Sequence, residues 1–310
     1  LARNDAVPFL VIKTTEPESE SFRLSCLTAN VGSIVQKSAC LANQTDDDLG
    51  NTWLKKNSAG SGAFKLRDWK VSESVILESN KNNPHAGKIQ RIIMRHIIDP
   101  SAQLLMLQKG DIDIARNLTT EQLRPLINDK NFTLVQKGIA GTFMLSANTA
   151  HPNLAKPQVW QAIKWAIDYE NIQQHIVPLT HKIHQSFLPE GFPAAVNTIM
   201  YKRDVTKAKA LLAEAGFPNG FEITLDHYSA SPSSDIVQAL QSNLAEVGLN
   251  VTLLAAENRQ VLTKMRARPQ KLALTQRGQD YFDPNSKAEA FSSNPDNTVK
   301  AKSRTRAWRC

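Results

Sequence analysis

Cysteine is almost missing from this 310-residue chain, with Cys26, Cys40 and Cys310 as the whole complement. Three cysteines are too few for a disulfide framework and match no metal-ligand spacing, which removes the disulfide-stapled and zinc-ribbon classes. Cys26 and Cys40 read as members of one helical stretch, too far apart to bond. No run of about 18 apolar residues occurs, so no segment reads as a membrane-spanning helix. A glycine-rich nucleotide loop and a nucleophile elbow are also lacking, because Ser58-Ala59-Gly60-Ser61-Gly62 is followed by a strand pattern and not a helix. Nothing assembles a nucleophile, a base and an oxyanion hole, so neither enzyme activity nor a cofactor is expected.

Positive charge is in excess, at a formal +8, but Lys300, Lys302, Arg304, Arg306 and Arg309 all crowd into the last 11 residues, and without those five the excess falls to +3. The remaining charges are mixed in sign and not interleaved with aromatics, which leaves no nucleic-acid footprint. Residues 298–310 read as a basic disordered tail, and its abrupt change of character, ending at Trp308-Arg309-Cys310, fits a sequence that has run out of its natural frame. The chain opens on Leu1 in a stretch with Arg3, Asp5 and Pro8, which reads as the inside of a longer protein.

With 41% hydrophobic and 21% charged residues, the chain has enough apolar material for two cores. Residues 60 to 98 read as strands, with Ala63 to Trp69 and Ser74 to Leu77 paired and Ile89 to Ile98 following. Asp99 caps a helix that has Pro100 at its first position and ends at Gly110. Asp111-Ile112-Asp113-Ile114 alternates as a strand, Thr119 and Gln122 form a capping box, and Phe132 to Gln136 and Thr142 to Asn148 read as further strands. A helix from Pro157 carries Val159, Ile163, Ala166 and Ile167 on one face, and Asp168 caps another containing Ile172 and Ile176. Residues 178 to 203, with Pro178, Pro189 and Pro193, suit a surface linker. Beyond it, Asp204 caps a helix that ends at Gly216, and Phe221, Ile223 and Leu225 alternate as a strand. Ser234 or Asp235 caps the next helix, ended by Gly248. Leu249, Val251 and Leu253 form a strand parallel to the previous one, a helix covers 258 to 268, and Lys271 to Gln276 is a third strand.

Most chemistry-bearing residues have plain explanations. His181 and His184, at i and i+3, lack a third ligand. Asp111 and Asp113 suit a solvated strand edge better than acid–base work. The sequons at Asn43, Asn117, Asn131 and Asn250 arise cheaply by chance, and Trp160 and Trp165 flank a core helix. The informative stretch is Gln276-Arg277-Gly278-Gln279-Asp280-Tyr281-Phe282-Asp283-Pro284, which leaves an apolar strand and ends in a carboxylate-rich turn. In open α/β sheets ligands collect beyond the carboxyl ends of strands, so Asp280 faces whatever the fold binds. The alternative reading makes Asp280 and Asp283 turn formers before Pro284.

Four segments together resemble the extracytoplasmic solute-binding proteins that serve ABC importers of oligopeptides, dipeptides and nickel. They are Gly60 to Trp69 (GSGAFKLRDW), Asp99 to Ala102 with Gly110 to Ile114, Val159 to Asp168, and Ala208 to Phe221 (AKALLAEAGFPNGF), closed by Asp280-Tyr281-Phe282-Asp283-Pro284. The resemblance covers residues 5 to 297. It implies an α/β, two-lobed fold like that of periplasmic binding proteins, with mixed sheets and helices on both faces, incomplete here at both ends. Residues 1–180 would then be a partial first lobe, 181–203 a linker and 204–297 a truncated second lobe. It also implies a periplasmic monomer, its signal peptide absent from this chain, that binds a peptide or similar small solute and hands it to ABC permease subunits. In the family, the turn matching Gln276 to Pro284 supplies an aspartate for the ligand's amino group. Asp280 falls on that position, with Arg277, Gly278, Gln279 and Tyr281 around it and Asn148 as a further contact. Relatives usually carry a tryptophan where this chain has Arg277, an exchange that favours a carboxylate or phosphate over an ammonium, and an aromatic pair where it has Asn83-Pro84. The alternative is a nonbinding remnant of a truncated or frameshifted gene.

Overall fold

A computed structural model describes residues 2–3, 10–11, 20–28, 32–267, 270–278 and 282–284. The chain falls into two compact units, Leu1–Leu118 and Thr119–Cys310. In the first, β1 (Ala2–Arg3) pairs antiparallel with β2 (Leu10–Val11), and α1 (Glu20–Leu27), α2 (Lys37–Ala42) and α3 (Asn51–Leu54) follow. An antiparallel sheet of β3 (Phe64–Lys70), β4 (Ser74–Ser79) and β5 (Arg91–Arg95) comes next, as the Ile-rich and alternating stretches require, and α4 (Pro100–Lys109) closes the unit. Cys26 and Cys40 are both free and lie on separate helices, α1 and α2, not on one.

The start and stop signals of α4 act as their chemistry predicts. The Asp99 carboxylate accepts the Ala102 N–H at 2.6 Å, and Gly110 closes the helix in the left-handed conformation, φ +78°. The same cap overturns the strand expected at Asp111 to Ile114. The Asp111 N–H is taken up by the Met106 carbonyl at 2.9 Å, and residues 111–114 join no sheet.

The second unit opens with α5 (Thr120–Ile127), where Thr119 and Gln122 make the reciprocal capping box. Then come β6 (Thr142–Ala147), a 3-10 turn (Pro152–Ala155), α6 (Pro157–Ala166) and α7 (Tyr169–Asn171), which runs into a π turn (Ile172–Ile176). The unit continues with α8 (Val205–Glu214), β7 (Phe221–Tyr228), α9 (Ser233–Ala245), β8 (Leu249–Ala256), α10 (Asn258–Ala267) and β9 (Leu272–Arg277). Residues 132–136 are not a strand; the Gln136 amide instead donates to the Leu179 carbonyl at 2.9 Å. Nor do Ser234 and Asp235 cap α9. The helix begins at Ser233 after Pro232, and the Asp235 carboxylate accepts from the Ser231 and Ser234 hydroxyls.

The four-stranded sheet runs β6-β9-β7-β8, with β7 parallel to β8 and to β9, and β6 antiparallel to β9. Ile223, Leu225, Leu249, Val251, Leu272 and Leu274 form one face of the sheet, packed into a single core with Val159 and Ile163 of α6, Ala208 and Leu212 of α8, and Val237, Leu240 and Leu244 of α9. Strand alternation sends Asp226 to the other face, where it pairs with Lys264 of α10, so helices cover both faces. Residues on either side of 181–203 therefore share one core. The reason is long-range pairing: β9 lies between β6 and β7, which no local pattern reveals.

Gly220 and Gly248 bring the amino ends of β7 and β8 together. Gly220 sits at φ +71°, and a Cβ there would overlap the Gly248 carbonyl. Gly220→Ala is therefore expected to destabilise the fold by at least about 2 kcal/mol, read as a lowered midpoint in urea unfolding. An unchanged midpoint would mean that these two turns give way without cost.

Candidate functional site

Strand β9 delivers the informative stretch. Residues 272–275 are buried, and Gln276 and Arg277 emerge at its carboxyl end beside Tyr228, the last residue of β7. Across the antiparallel pair, Phe143 lies opposite Gln276 and Thr142 opposite Arg277. Alternation then divides the end of the strand. Gln276 shares the helix-covered core face with Leu274 and Phe143, while Arg277 shares the opposite face with Thr275 and Tyr228.

A cavity of about 340 Å³ opens on the Gln276 side, lined by Ile139, Ala140, Gly141, Gln276 and Gly278. Its walls are small because Ala140, Gly141 and Gly278 carry little or no side chain. A Cβ on Gly141 would stand in ordinary van der Waals contact with Ile139 Cδ1 at 3.4 Å and Gln276 Nε2 at 3.6 Å, on the wall of this space. Of the expected residues, Gly278 and the neighbouring Gln276 line the cavity, and Arg277 does not. Its guanidinium acts instead on Tyr228, whose phenol is pushed above its ordinary value by burial, with Arg277 and the Gln276 main chain pulling the other way. Gln279, Asp280 and Tyr281 lie outside the described residues.

Asn148 is not part of this constellation. Its N–H donates to the Lys271 carbonyl at 2.9 Å, at the opposite end of the β6–β9 pair and about 20 Å along the strand from Arg277. His181 and His184 also go separate ways: the His181 ring packs on Phe143 at 5.2 Å, and His184 Nε2 meets the Leu188 carbonyl at 2.6 Å. Among the described residues no group of three His, Cys, Asp or Glu side chains is arranged to hold a metal.

Two features escaped the sequence reading. Ile139, Ala140 and Gly141 carry no motif, and the only hint was the pair of glycines, Gly138 and Gly141, before β6. Residues 178–203 are also more than a passive linker. Gln185, 7% exposed, accepts the Met200 and Tyr201 N–H groups at 2.7 and 2.8 Å and donates to the Tyr201 carbonyl at 2.8 Å, folding the segment on itself. Phe192 then stacks on Phe282 with ring centroids 4.2 Å apart.

Residues 9–298 match the model of the bacterial extracellular solute-binding proteins, family 5, middle region. A probable D,D-dipeptide-binding periplasmic protein of Escherichia coli (strain K12) is 27% identical over 259 residues, 83% of this chain and 50% of that protein. A glutathione-binding protein of Pectobacterium atrosepticum is 27% identical over 201 residues, 64% of this chain and 39% of the relative. Among solved structures, a Helicobacter pylori periplasmic binding protein in complex with the peptide STSA superposes with a TM-score of 0.75 at 24% identity, covering 88% of this chain and 53% of that one. A dipeptide-binding protein of Pseudoalteromonas sp. SM9913 in complex with Met-Leu gives 0.73 at 20%, covering 86% and 54%. The chain thus spans about half the length of the relatives it matches, and the structural likeness is one of fold.

Burial lowers the pKa of His181 from 6.5, and burial together with the Lys271 charge lowers that of His151. A depressed histidine disfavours proton uptake in the folded state, so its contribution to stability is present above pH 6.5 and is lost as the pH falls through and below that value. Urea midpoints should hold steady from about pH 8 to about pH 7 and decline toward about pH 5. The decline should be shallower in His181→Phe, which keeps an aromatic ring against Phe143. An equally steep decline in that variant would place the linkage elsewhere.

Proposed function

The chain belongs to the bacterial extracellular solute-binding proteins of family 5, and from that premise we propose that it is the substrate-binding component of an ABC importer, taking a peptide or similar small solute and delivering it to a membrane permease. The observation that carries this reading is the cavity at the carboxyl end of β9, next to the turn that the resemblance assigns to the ligand. Its chemistry suits a peptide. Gly141 and Gly278 leave the main chain open to approach, the Gln276 amide offers a donor and an acceptor, and Ile139 adds an apolar wall. The ligands in the relatives' names, a D,D-dipeptide, glutathione, STSA and Met-Leu, support the same class.

In this reading Asp280 receives the ligand's ammonium, Gln279 and Tyr281 flank it, and Gly278 and Gln276 meet the ligand backbone. Binding needs only complementarity and release, so the protein performs no bond-making step and requires no cofactor. It acts outside the cytoplasm as a monomer whose partners are the solute and the permease, with no role for nucleic acid.

Native mass spectrometry of the whole chain with a mixture of dipeptides, tetrapeptides and glutathione tests this. A retained peptide is expected, with binding weakened at least about tenfold in Gly141→Leu, which fills the cavity, and in Asp280→Ala, which removes the ammonium's partner. A folded protein that retains no member of the mixture would sink the reading.

A further inference from the structure

Of the five residues that line the cavity at the carboxyl end of β9, four offer a solute no polar side chain: Ile139 is an alkyl wall, and Ala140, Gly141 and Gly278 carry a methyl group or a hydrogen. Gln276 is the exception. Its Nε2 stands 3.6 Å from where a Gly141 Cβ would be, so the carboxamide lies beside Gly141 on the wall of the space. The residue is exposed, and its carboxamide hydrogen-bonds no other described residue. Both its donors and its acceptor are therefore open to a solute, and one amide can serve the solute's backbone and a side chain together.

The position of this amide is set by the sheet. Gln276 lies opposite Phe143 in the β6–β9 pair, two residues beyond Leu274, which is 3% exposed and opposite Leu145. Phe143 in turn packs on the His181 ring, and burial lowers the pKa of that histidine from 6.5, so it is neutral at pH 7. Lys137 and Arg277 flank the lining residues in sequence, but neither lines the cavity, and Arg277 takes the Tyr228 face of the strand. A group that enters thus meets one amide and no charge on the walls. An ionised group gives up hydration there without gaining a counter-charge, whereas a neutral amide exchanges water for the Gln276 donor and acceptor.

We propose that Gln276 is the specificity-determining residue of this cavity, selecting an uncharged, amide-bearing side chain of the bound peptide over a charged one. This rests on the peptide-binding reading above, and the test separates the two. Affinities of the wild-type chain, Gln276→Glu, Gln276→Leu and Arg277→Gln are measured by titration calorimetry for tri-alanine peptides in which each position in turn is replaced by Gln, Glu or Lys, with urea midpoints to verify folding.

The expected result is one position at which the wild-type chain binds the Gln peptide at least about tenfold more tightly than the Glu and Lys peptides. At that position Gln276→Glu should bring the Lys peptide above the Gln peptide and weaken the Glu peptide further, because a carboxylate then faces the side chain. Gln276→Leu should weaken the Gln peptide about fivefold, the loss of one uncharged hydrogen bond, and still reject both charged peptides. Arg277→Gln should keep the wild-type order. A merely structural role would weaken every peptide alike, so equal weakening in Gln276→Glu overturns the proposal, as does loss of the preference in Arg277→Gln. If the Gln276→Glu chain does not fold, undiminished affinity of Gln276→Leu for the Gln peptide overturns it. A wild-type chain that binds none of the peptides sinks the peptide reading and this proposal with it, whereas binding without discrimination at any position sinks this proposal alone.

Discussion

The insertion of β9 between β6 and β7 is the constraint on which the second unit depends. It is a central strand, paired antiparallel on one side and parallel on the other, and its residues 272–275 are buried. A slip of one residue would exchange Leu272 and Leu274 for Ala273 and Thr275 on the core face and turn the leucines to the face that α10 covers. The same slip would carry Gln276 and Gly278 away from the cavity and turn Arg277 into it. Core packing and site geometry are therefore set by one register.

The remaining contacts defend that register. At one end of the sheet, the close approach of Gly220 and Gly248 fixes how β7 and β8 begin, and Leu225 of β7 sits directly beside Leu272 of β9. Helices α6, α8 and α9 bury the same leucine face. On the other face the Asp226 carboxylate, 3% exposed, is paired with Lys264 of α10. Removing that lysine would leave a buried charge uncompensated, so the pair specifies how α10 sits more than it adds net stability.

Local signals in the sequence were faithful where the physics is local. The Asp99 and Asp204 caps, the capping box at Thr119 and Gln122 and the glycine stops at Gly110 and Gly216 all act within a turn of their own helix, and all appear as expected. Alternation identified β7, β8 and β9 and the parallel sense of β7 and β8. It failed at 111–114 and 132–136, where an alternating pattern exists but no strand lies alongside to complete a ladder. The partner of β6 was invisible for a related reason: Thr142 and Arg277 are 135 positions apart, and only the folded chain shows that they face each other. Of the cavity's lining, Gln276 and Gly278 belong to the stretch that the sequence singled out by its place at a strand end. The Ile139–Gly141 wall was not legible, because small or apolar residues advertise a site only through what stands opposite them.

The direction of Arg277 alters how its charge is to be understood. The resemblance implies an aromatic residue at this position, so that the sequence alone reads the arginine as a cation in place of a pocket wall. In the structure the strand's alternation sends Arg277 to the face of Tyr228 and Thr275, while Gln276 and Gly278 take the cavity face. Its charge is thus directed at the Tyr228 face and is separated from the cavity by the strand's own backbone. The cavity's own walls, with their glycines, a single amide and one isoleucine, are uncharged.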